Sequence, residues 1–487
     1  MKILFATPEC APFVKTGGLG DVSAALPPVL ARLGHDVRVL LPAYAGMKVE
    51  GEMGAAIDIP AERHWPAAQL LPVKLASGVT LLLLACPELF DRTGSPYVAA
   101  GGQDHHDNHW RFGFLARVAA AIGTPGTPCA GWQADIVHAN DWPCGLAPMY
   151  LADWRARVAR EHRSASVITI HNIAFQGAFP SWVADPLEVP WQWRGLEGVE
   201  FWGQVSMLKA ALQFSDAITT VSPTYAREIQ TDEFGVGLQG VLQAKAGKLS
   251  GILNGIDTQT WNPRTDLLIA KTYGAQTLAD KAINKAALQQ RCGLALSKDA
   301  PLLGIVSRLT PQKGIDWVLA ALDALIAGGA QLAVLGVGDR DLQDALQAMA
   351  RQHPRSVSAA FGFDESLAHL IEAGADVFLM PSRFEPCGLN QMYSQAYGTP
   401  PIVNATGGLK DSVVDADLDP AQGTGFVMRS QDGQGFADAV ARAFRAYGDK
   451  PRWERIVRNG MGRDFGWERS AREYESVYER ALAVARG

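Results

Sequence analysis

The sequence predicts an α/β protein with two doubly wound domains, and three observations support this fold class. The chain has 487 residues, which is more than one ordinary hydrophobic core accommodates. Short apolar runs alternate with helical patterns along its whole length. Many of these runs are apolar on both faces, as is typical of parallel strands that helices cover on each side.

The strand-like runs fall into two series. The first predicts strands at KILFA (2–6), DVRVLLP (36–42), DIVHA (135–139), SVITIH (166–171) and DAITTVS (216–222). The second predicts strands at PLLGIVS (301–307), QLAVLG (331–336), SVSAAFG (356–362), DVFLMP (376–381) and PPIVN (400–404). The break between the series lies between KLSGILNGID (248–257) and the polar helical stretch 278–293. Residues 469–485 predict a final amphipathic helix.

Composition excludes several classes of protein. A hydrophobic content of 48% with 19% charged residues predicts a globular protein and not a disordered one. The net charge of −6 argues against a nucleic-acid binder that relies on bulk positive charge. VTLLLLAC (79–86) is far too short for a membrane span and predicts a buried strand. The six cysteines form no CxxC pair, and the N-terminal run lacks the length of a secretory signal, so we expect a cytoplasmic location without membrane partners.

The stretch KTGGLGDV (15–22) follows the first predicted strand and opens an amphipathic helix. Free N–H groups and the helix dipole attract anions at such a position, and Lys15 adds a full charge. The functional hypothesis is a cradle for a phosphate or sugar phosphate. The alternative is a plain β-to-α turn, and the absence of a following Gly-Lys-Ser/Thr excludes a Walker A loop.

Two cations and a carboxylate mark strand ends in the second series. Arg308 lies at the end of the predicted strand 301–307, directly after its last residue, and Lys313 follows at the start of the next helix. An arginine fork and a lysine point charge together suit a diphosphate. Glu385 precedes a helix after the strand DVFLMP, where a carboxylate accepts hydrogen bonds from sugar hydroxyls. The structural alternatives are helix capping for the cations and dipole compensation for Glu385.

These motifs, in this order, resemble those of the bacterial glycogen synthases and plant starch synthases, which are retaining glucosyltransferases of the GT-B fold. The resemblance covers nearly the whole chain and rests on KTGGLGDV, HANDW, HNIAFQG, VSPTYAREI, GILNGID, SRLTPQKG, PSRFEPCGLNQMYSQAYGT and TGGLKDSV. It implies two Rossmann-like domains, 1–255 and 256–465, that face an interdomain cleft. It also implies that a C-terminal helix within 466–487 crosses back to the first domain.

The resemblance implies a reaction and a set of site residues. Glucose would pass from ADP-glucose to the non-reducing 4-OH of an α-1,4-glucan such as glycogen, with retention of configuration and release of ADP. No metal or organic cofactor is expected, because protein cations replace a metal at the leaving diphosphate. The implied catalytic residues are Lys15, His171, Arg308, Lys313 and Glu385. The implied substrate-binding residues are Gly17, Gly18, Asp21, Tyr97, Asp141, Asn172, Asn254, Phe363, Cys387, Gly388, Leu389, Thr406 and Gly407.

Within this set, individual roles follow from the motifs of the resembling family. Arg308 and Lys313 match the pair that stabilises charge on departing ADP, and Glu385 matches the carboxylate near the donor glucose. His171 matches a histidine whose backbone carbonyl faces the reacting carbon. Phe363 occupies the place of an aromatic residue that stacks on adenine.

Some features depart from the resembling family or leave alternatives open. Asn140 in HANDW replaces a usual histidine, and Asn390 replaces a usual threonine. DHHDNHW (104–110) has the composition of a metal site but no ligand spacing on defined elements. A related transferase that uses UDP-glucose, and a non-catalytic glucan-binding protein, remain competing hypotheses. The sequence does not predict an oligomeric state.

Overall fold

The computed structural model describes residues 1–487 and divides into two compact units. The first unit comprises Met1–Asn254 together with Trp467–Gly487, and the second comprises Gly255–Gly466. These divisions lie within one residue of the sequence-based boundaries at 255/256 and 465/466.

The first unit is built on a large mixed sheet. The strands of this unit are β1 (Lys2–Ala6), β2 (Asp36–Pro42), β3 (Glu52–Met53), β4 (Ile57–Ile59), β5 (Ala68–Lys74), β6 (Thr80–Ala85), β7 (Ile136–Asn140), β8 (Ala165–Ile170), β9 (Ala178–Pro180), β10 (Glu200–Phe201), β11 (Gln204–Ser206), β12 (Ala217–Thr220) and β13 (Leu249–Gly251). The order of the large sheet is β13-β12-β8-β7-β1-β2-β6-β5-β3, with β4 paired to β5. From β13 to β6 every pair is parallel, whereas β3, β4 and β6 pair with β5 in antiparallel fashion.

All five strands predicted for this half are present, and the apolar run at 79–86 forms the buried strand β6. Three features were not predicted from the sequence. They are the antiparallel extension β3–β5, the parallel edge strand β13 and a small antiparallel sheet of order β10-β11-β9. Their strands have two to seven residues, and most are too short to show a hydrophobic period.

The helices of this half are α1 (Gly18–Arg32), α2 (Pro87–Phe90), α3 (Asn108–Ile122), α4 (Ala147–Trp154), α5 (Met207–Phe214), α6 (Pro223–Glu228) and α7 (Gln239–Ala244). The predicted apolar face of α1 is buried, because Leu19, Val22, Leu26 and Leu30 are each at most 7% exposed. Val22, Leu26 and Leu30 belong to the same hydrophobic core as Phe5 of β1. This packing fixes the start of α1 beside the end of β1.

The second unit has a wholly parallel sheet of order β16-β15-β14-β17-β18-β19. Its strands are β14 (Leu302–Val306), β15 (Gln331–Gly336), β16 (Val357–Phe361), β17 (Val377–Met380), β18 (Pro401–Val403) and β19 (Phe426–Val427). Its helices are α8 (Lys281–Arg291), α9 (Ile315–Ala327), α10 (Arg340–Gln352), α11 (Glu365–Gly374), α12 (Asn390–Ala396), α13 (Gly407–Ser412), α14 (Gly433–Gly448) and α15 (Lys450–Met461). The five strands predicted for this half are all present.

The last helix, α16 (Trp467–Arg486), belongs to the first unit. Tyr474, Val477 and Tyr478 are buried in the core that contains β1 and α1. The Tyr478 hydroxyl lies 2.8 Å from Nδ1 of the buried His138 at β7. None of the helices combines the length and apolarity that a membrane crossing requires.

Candidate active site

The unusual side chains of the first unit lie just beyond adjacent parallel strands. β1, β7 and β8 are neighbours in the sheet, and Glu9, Asp141 and His171 follow their carboxyl ends. Ligands of doubly wound sheets bind at this edge, where loops from neighbouring strands converge. The fold therefore gathers residues from KTGGLGDV, HANDW and HNIAFQG in one place.

Glu9 organises this edge and was not among the predicted site residues. Its side chain is 3% exposed, and Oε2 accepts hydrogen bonds from the backbone N–H groups of Thr16 and Gly17, the latter at 3.0 Å. Oε1 accepts a hydrogen bond from the Tyr97 hydroxyl at 2.6 Å. The signal available in the sequence was a lone glutamate directly after the first apolar strand.

These bonds revise the predicted phosphate cradle. Because Glu9 accepts from the amides of Thr16 and Gly17, those two groups are not free to bind an anion. Lys15 Nζ lies 2.7 Å from Asp21 Oδ1, so its charge is paired within the loop. Burial raises the pKa of the Asp21 carboxyl, and Lys15 offsets part of that rise. The Lys15 side chain remains 51% exposed and accessible to a substrate.

The glycines of this loop differ in how much space the surrounding protein leaves for a side chain. A Cβ at Gly17 or Gly18 would have no heavy atom within 4 Å, whereas one at Gly20 would lie 3.1 Å from the Lys15 side chain. Neither Gly17 nor Gly18 has the positive φ that favours glycine. Nothing in the packing of the protein therefore requires glycine at 17 and 18, and the missing side chains leave this backbone open to an approaching ligand.

Asn140 and His171 form a buried pair. The Asn140 amide nitrogen donates to the Ala6 carbonyl at 3.0 Å, so its oxygen faces His171 Nε2 at 2.9 Å. His171 must therefore carry its proton on Nε2. Burial lowers the pKa of His171 to about 3, which keeps the ring neutral. Asn140 is 0% exposed and replaces the histidine that is usual in the family. This replacement therefore affects the orientation of His171 and not a contact with solvent.

Asp141 holds a strained backbone conformation with φ 53° and ψ −175°. Such a conformation costs a residue other than glycine on the order of 1–3 kcal/mol and is common at functional sites. Its Oδ1 accepts from the His171 N–H at 2.7 Å. Burial raises the pKa of the Asp141 carboxyl to about 7, and the nearby Glu9 carboxylate adds to this rise.

We expect the elevated pKa of Asp141 to make stability depend on pH. A carboxyl with a raised pKa stabilises the folded state below its ordinary pKa, and that contribution is lost as pH rises through the folded value. The Tm of Asp141→Asn should therefore exceed that of the parent by a margin that grows from pH 4 to pH 7. Above pH 7 this difference in Tm should stay constant. Thermal unfolding across this range measures it, with exposed Asp91→Asn as the matched control. A difference that is flat with pH would contradict the assignment.

Three further predicted residues are placed by local hydrogen bonds. Burial and the neighbouring Glu9 raise the pKa of Tyr97 well above its ordinary value, so its hydroxyl stays protonated as the donor to Glu9. Asn172 accepts from the Ala174 N–H at 3.0 Å in a tight turn after β8. Asn254, 7% exposed, has a buried Oδ1 with no hydrogen-bond partner in the protein. A buried unpaired oxygen of this kind suits a ligand donor.

In the second unit, Arg308 and Lys313 follow the same strand but differ in environment. Arg308 lies beyond the end of β14 with an exposed side chain that contacts no carboxylate and donates no hydrogen bond. Lys313 is 13% exposed and forms an ion pair with Oε2 of Glu385, which is 9% exposed. The Ser382 hydroxyl donates to the same oxygen at 3.1 Å. The structure thus pairs two predicted catalytic residues, Lys313 and Glu385, and leaves Arg308 without a partner.

The segments after β17 and β18 interlock around this ion pair. A Cβ at Gly407 would lie 1.9 Å from the carbonyl oxygen of Glu385, and one at Gly408 would lie 2.3 Å from that of Cys387. The Gly408 N–H donates to the Pro386 carbonyl at 3.0 Å. These contacts require glycine at both positions and bring the predicted residues of FEPCGL and TGGL together.

The remaining predicted residues of this unit lie around the same strand ends. Cys387 and Thr406 are buried, and Gly388 and Leu389 precede α12. The side-chain amide of Asn390 donates to the Val306 carbonyl at the end of β14, which gives this departure from the family a structural role. Phe363, just beyond β16, is 99% exposed. No packing within the protein accounts for an aromatic side chain at that position.

Three side chains of the stretch DHHDNHW have partners within the protein. Asp107 forms an ion pair with Arg92 at 2.7 Å, and the Asn108 side chain donates to the Tyr97 carbonyl at 2.9 Å. His105 Nε2 lies 3.2 Å from the Ser95 carbonyl. The chain contains no group of three or more His, Cys, Asp or Glu side chains arranged to hold a metal ion. The polar residues of this stretch instead hold the loop that carries Tyr97.

Comparisons with known proteins agree along the whole chain. The family described as starch synthase catalytic domain matches residues 2–244, and the family described as glycosyl transferases group 1 matches residues 289–460. The chain is 59% identical to a glycogen synthase of Paracidovorax citrulli, over 98% of this chain and 94% of that protein. It is 51% identical to a glycogen synthase of Aromatoleum aromaticum, over 100% of this chain and 98% of that protein.

Solved structures support the same assignment. The catalytic domain of starch synthase IV from Arabidopsis thaliana, bound to ADP and acarbose, superposes with a TM-score of 0.86 at 32% identity, covering 99% of both chains. A sucrose-phosphate synthase from Thermosynechococcus elongatus, at 19% identity and a TM-score of 0.61, shares the fold. The predicted GT-B fold class is confirmed. Since full-length identity and both family matches coincide, the chain belongs to the glycogen synthase family of glycosyltransferases.

Proposed function

We propose that this protein transfers glucose from ADP-glucose to the non-reducing 4-OH end of an α-1,4-glucan, with retention of configuration and release of ADP. The observation that carries the proposal is the similarity of nearly the entire chain to proteins named glycogen synthase. The starch synthase structure that holds ADP and acarbose supports the nucleotide and the glucan-like acceptor.

The second unit supplies the groups that act on the donor. Arg308, exposed and unpartnered, binds the diphosphate, and Lys313 adds a second positive charge as the sugar–phosphate bond breaks. Charged groups fixed in advance stabilise developing charge without reorganisation cost. Glu385 holds Lys313 in place and accepts hydrogen bonds from the donor glucose. Phe363 stacks on the adenine, which explains an aromatic side chain left 99% exposed.

The first unit supplies the groups that position the sugars. Lys15 supplies a positive charge near the diphosphate. The absence of side chains at Gly17 and Gly18 lets the donor come close to the backbone. Asn140 accepts a hydrogen bond from the His171 ring, and Asp141 accepts one from the His171 backbone N–H. Together they fix the backbone at the end of β8. Asn254 offers its unpaired oxygen to a ligand hydroxyl.

Retention of configuration requires either a covalent nucleophile or attack on the face from which the leaving group departs. Glu385 is tied to Lys313, and the Cys387 thiol is buried. The proposed mechanism is therefore same-face attack through a short-lived ion pair, with the departing diphosphate accepting the proton of the incoming hydroxyl. Positioning and electrostatic stabilisation supply the rate enhancement, and we propose that no metal or organic cofactor takes part.

We propose a cytoplasmic location for the reaction. None of the six cysteines forms a disulfide in the structure, as suits a reducing compartment.

Transfer of labelled glucose into glycogen tests the proposal, with ADP-glucose and UDP-glucose assayed in parallel. We expect strong incorporation from ADP-glucose and little from UDP-glucose. Efficient use of UDP-glucose alone would overturn the donor. No transfer from either, by a folded protein with primer present, would favour a non-catalytic glucan-binding protein.

Gly18→Ala should separate substrate access from folding. Since the new Cβ meets no protein atom and Gly18 starts α1, stability should be unchanged or rise by at most about 1 kcal/mol. If the donor approaches this backbone, kcat/KM should fall by at least roughly tenfold, about 1.4 kcal/mol. Gly240→Ala, in an equally open place in α7, is the matched control. Equal activity in both variants would remove Gly18 from the binding surface.

A further inference from the structure

The first unit contains a cavity of about 330 Å³ that none of the proposed roles uses. It lies beside the segment 12–14, directly before Lys15, and its lining includes Tyr44, Lys48, Arg92, Ser95 and Arg111. This volume is at the small end of the range of about 300–1,000 Å³ that is typical of ligand pockets. The cavity therefore suits a small molecule and not a glucan chain.

Arg111 is the central feature of this cavity. The residue is 1% exposed, yet no carboxylate contacts its guanidinium group. Nε donates to the Leu89 carbonyl at 2.6 Å, and Nη1 donates to the Pro96 carbonyl at 2.8 Å and to Asn108 Oδ1 at 2.7 Å. Nη2 donates to no acceptor in the protein. A buried cation with only neutral partners carries a large desolvation cost, which an anion in the cavity would offset.

The other charges of the lining have the same sign. Arg92 is neutralised by Asp107, to which its two Nη atoms donate at 2.7 Å each. Lys48 is exposed and has no hydrogen-bond or ion-pair partner. No aspartate or glutamate is among the lining residues. Asp107 neutralises Arg92. The two remaining cations of the lining, Lys48 and Arg111, have no carboxylate in contact and give the cavity two positive charges.

We propose that this cavity binds a small phosphate monoester, no larger than a monosaccharide phosphate. Arg111 Nη2 and Lys48 Nζ bind the phosphate oxygens as charged donors, and the Ser95 hydroxyl offers a neutral donor. Tyr44, whose hydroxyl donates to the Pro8 carbonyl at 3.0 Å, provides an aromatic wall for the remainder of the ligand. The cavity shares no lining residue with the proposed donor site, because Lys15, Gly17 and Gly18 of the first unit and Arg308 and Lys313 of the second all lie outside its lining.

Titration calorimetry of the full chain tests this site with inorganic phosphate and a hexose monophosphate, and with the neutral hexose as the uncharged comparison. We expect binding of both phosphates and none of the neutral sugar. Lys48→Glu should weaken phosphate binding by about tenfold or more, because it replaces an attractive charge with a repulsive one. Lys48 is exposed and unpartnered, so this variant should fold normally.

Two matched variants make the result decisive. Lys74→Glu changes another exposed, unpartnered lysine of the same unit and should leave phosphate affinity unchanged. Arg308→Ala removes a cation of the proposed donor site and should also leave it unchanged. The proposal is overturned if neither phosphate binds, if Lys48→Glu binds as tightly as the parent, or if binding is lost in Arg308→Ala.

Discussion

Arg308→Ala should lower kcat by about 10²–10³-fold while the melting temperature stays that of the parent. The reason is the isolation of this side chain. It is exposed beyond the end of β14 and bonds to nothing in the protein, so its removal costs the fold little. Its positive charge forms an ion pair only when an anionic ligand is bound. Steady-state kinetics with ADP-glucose, alongside thermal unfolding, measure the two effects.

Arg351→Ala serves as the control for this result, since Arg351 is also an exposed, unpartnered arginine of the second unit, on α10. Arg308→Lys restores the charge without the bidentate fork and should recover only part of the activity. Undiminished turnover in Arg308→Ala would remove this residue from the stabilisation of the leaving group.

Lys313→Ala should reduce turnover by a similar factor of roughly 10²–10³, but with a loss of stability that Arg308→Ala does not show. Lys313 and Glu385 are each at most 13% exposed, so truncation leaves a buried carboxylate with only the Ser382 hydroxyl near it. Removing one partner of such a pair costs on the order of 3–5 kcal/mol. Glycogen binding, measured by co-sedimentation, should survive because neither residue is assigned to the acceptor.

The double variant Lys313→Met with Glu385→Gln separates the two effects. It removes both charges together, so most of the lost stability should return while turnover stays low. Full turnover in Lys313→Ala, or activity that returns with stability in the double variant, would show that Lys313 acts on the fold and not on the leaving group.

The sequence was most informative where long apolar runs and helical periods are strong. All ten predicted strands are present, and the final helix predicted at 469–485 is found at Trp467–Arg486. The short antiparallel strands were missed because two or three residues carry no period. Motifs predicted the site residues, since FEPCGL, TGGL and KTGGLGDV are distinctive strings, but they did not show which residues contact each other.

The amino-acid sequence by itself determined the fold class, the family and the identity of the charged residues, because these depend on local pattern and on the order of motifs. Tertiary structure alone decided how those charged groups are paired and buried. It placed Glu9 on the amides of the glycine loop, paired Lys313 with Glu385 and left Arg308 free. It also buried Arg111 beside a cavity without a counter-ion. Pairing and burial arise from residues distant in sequence, so no local pattern carries them.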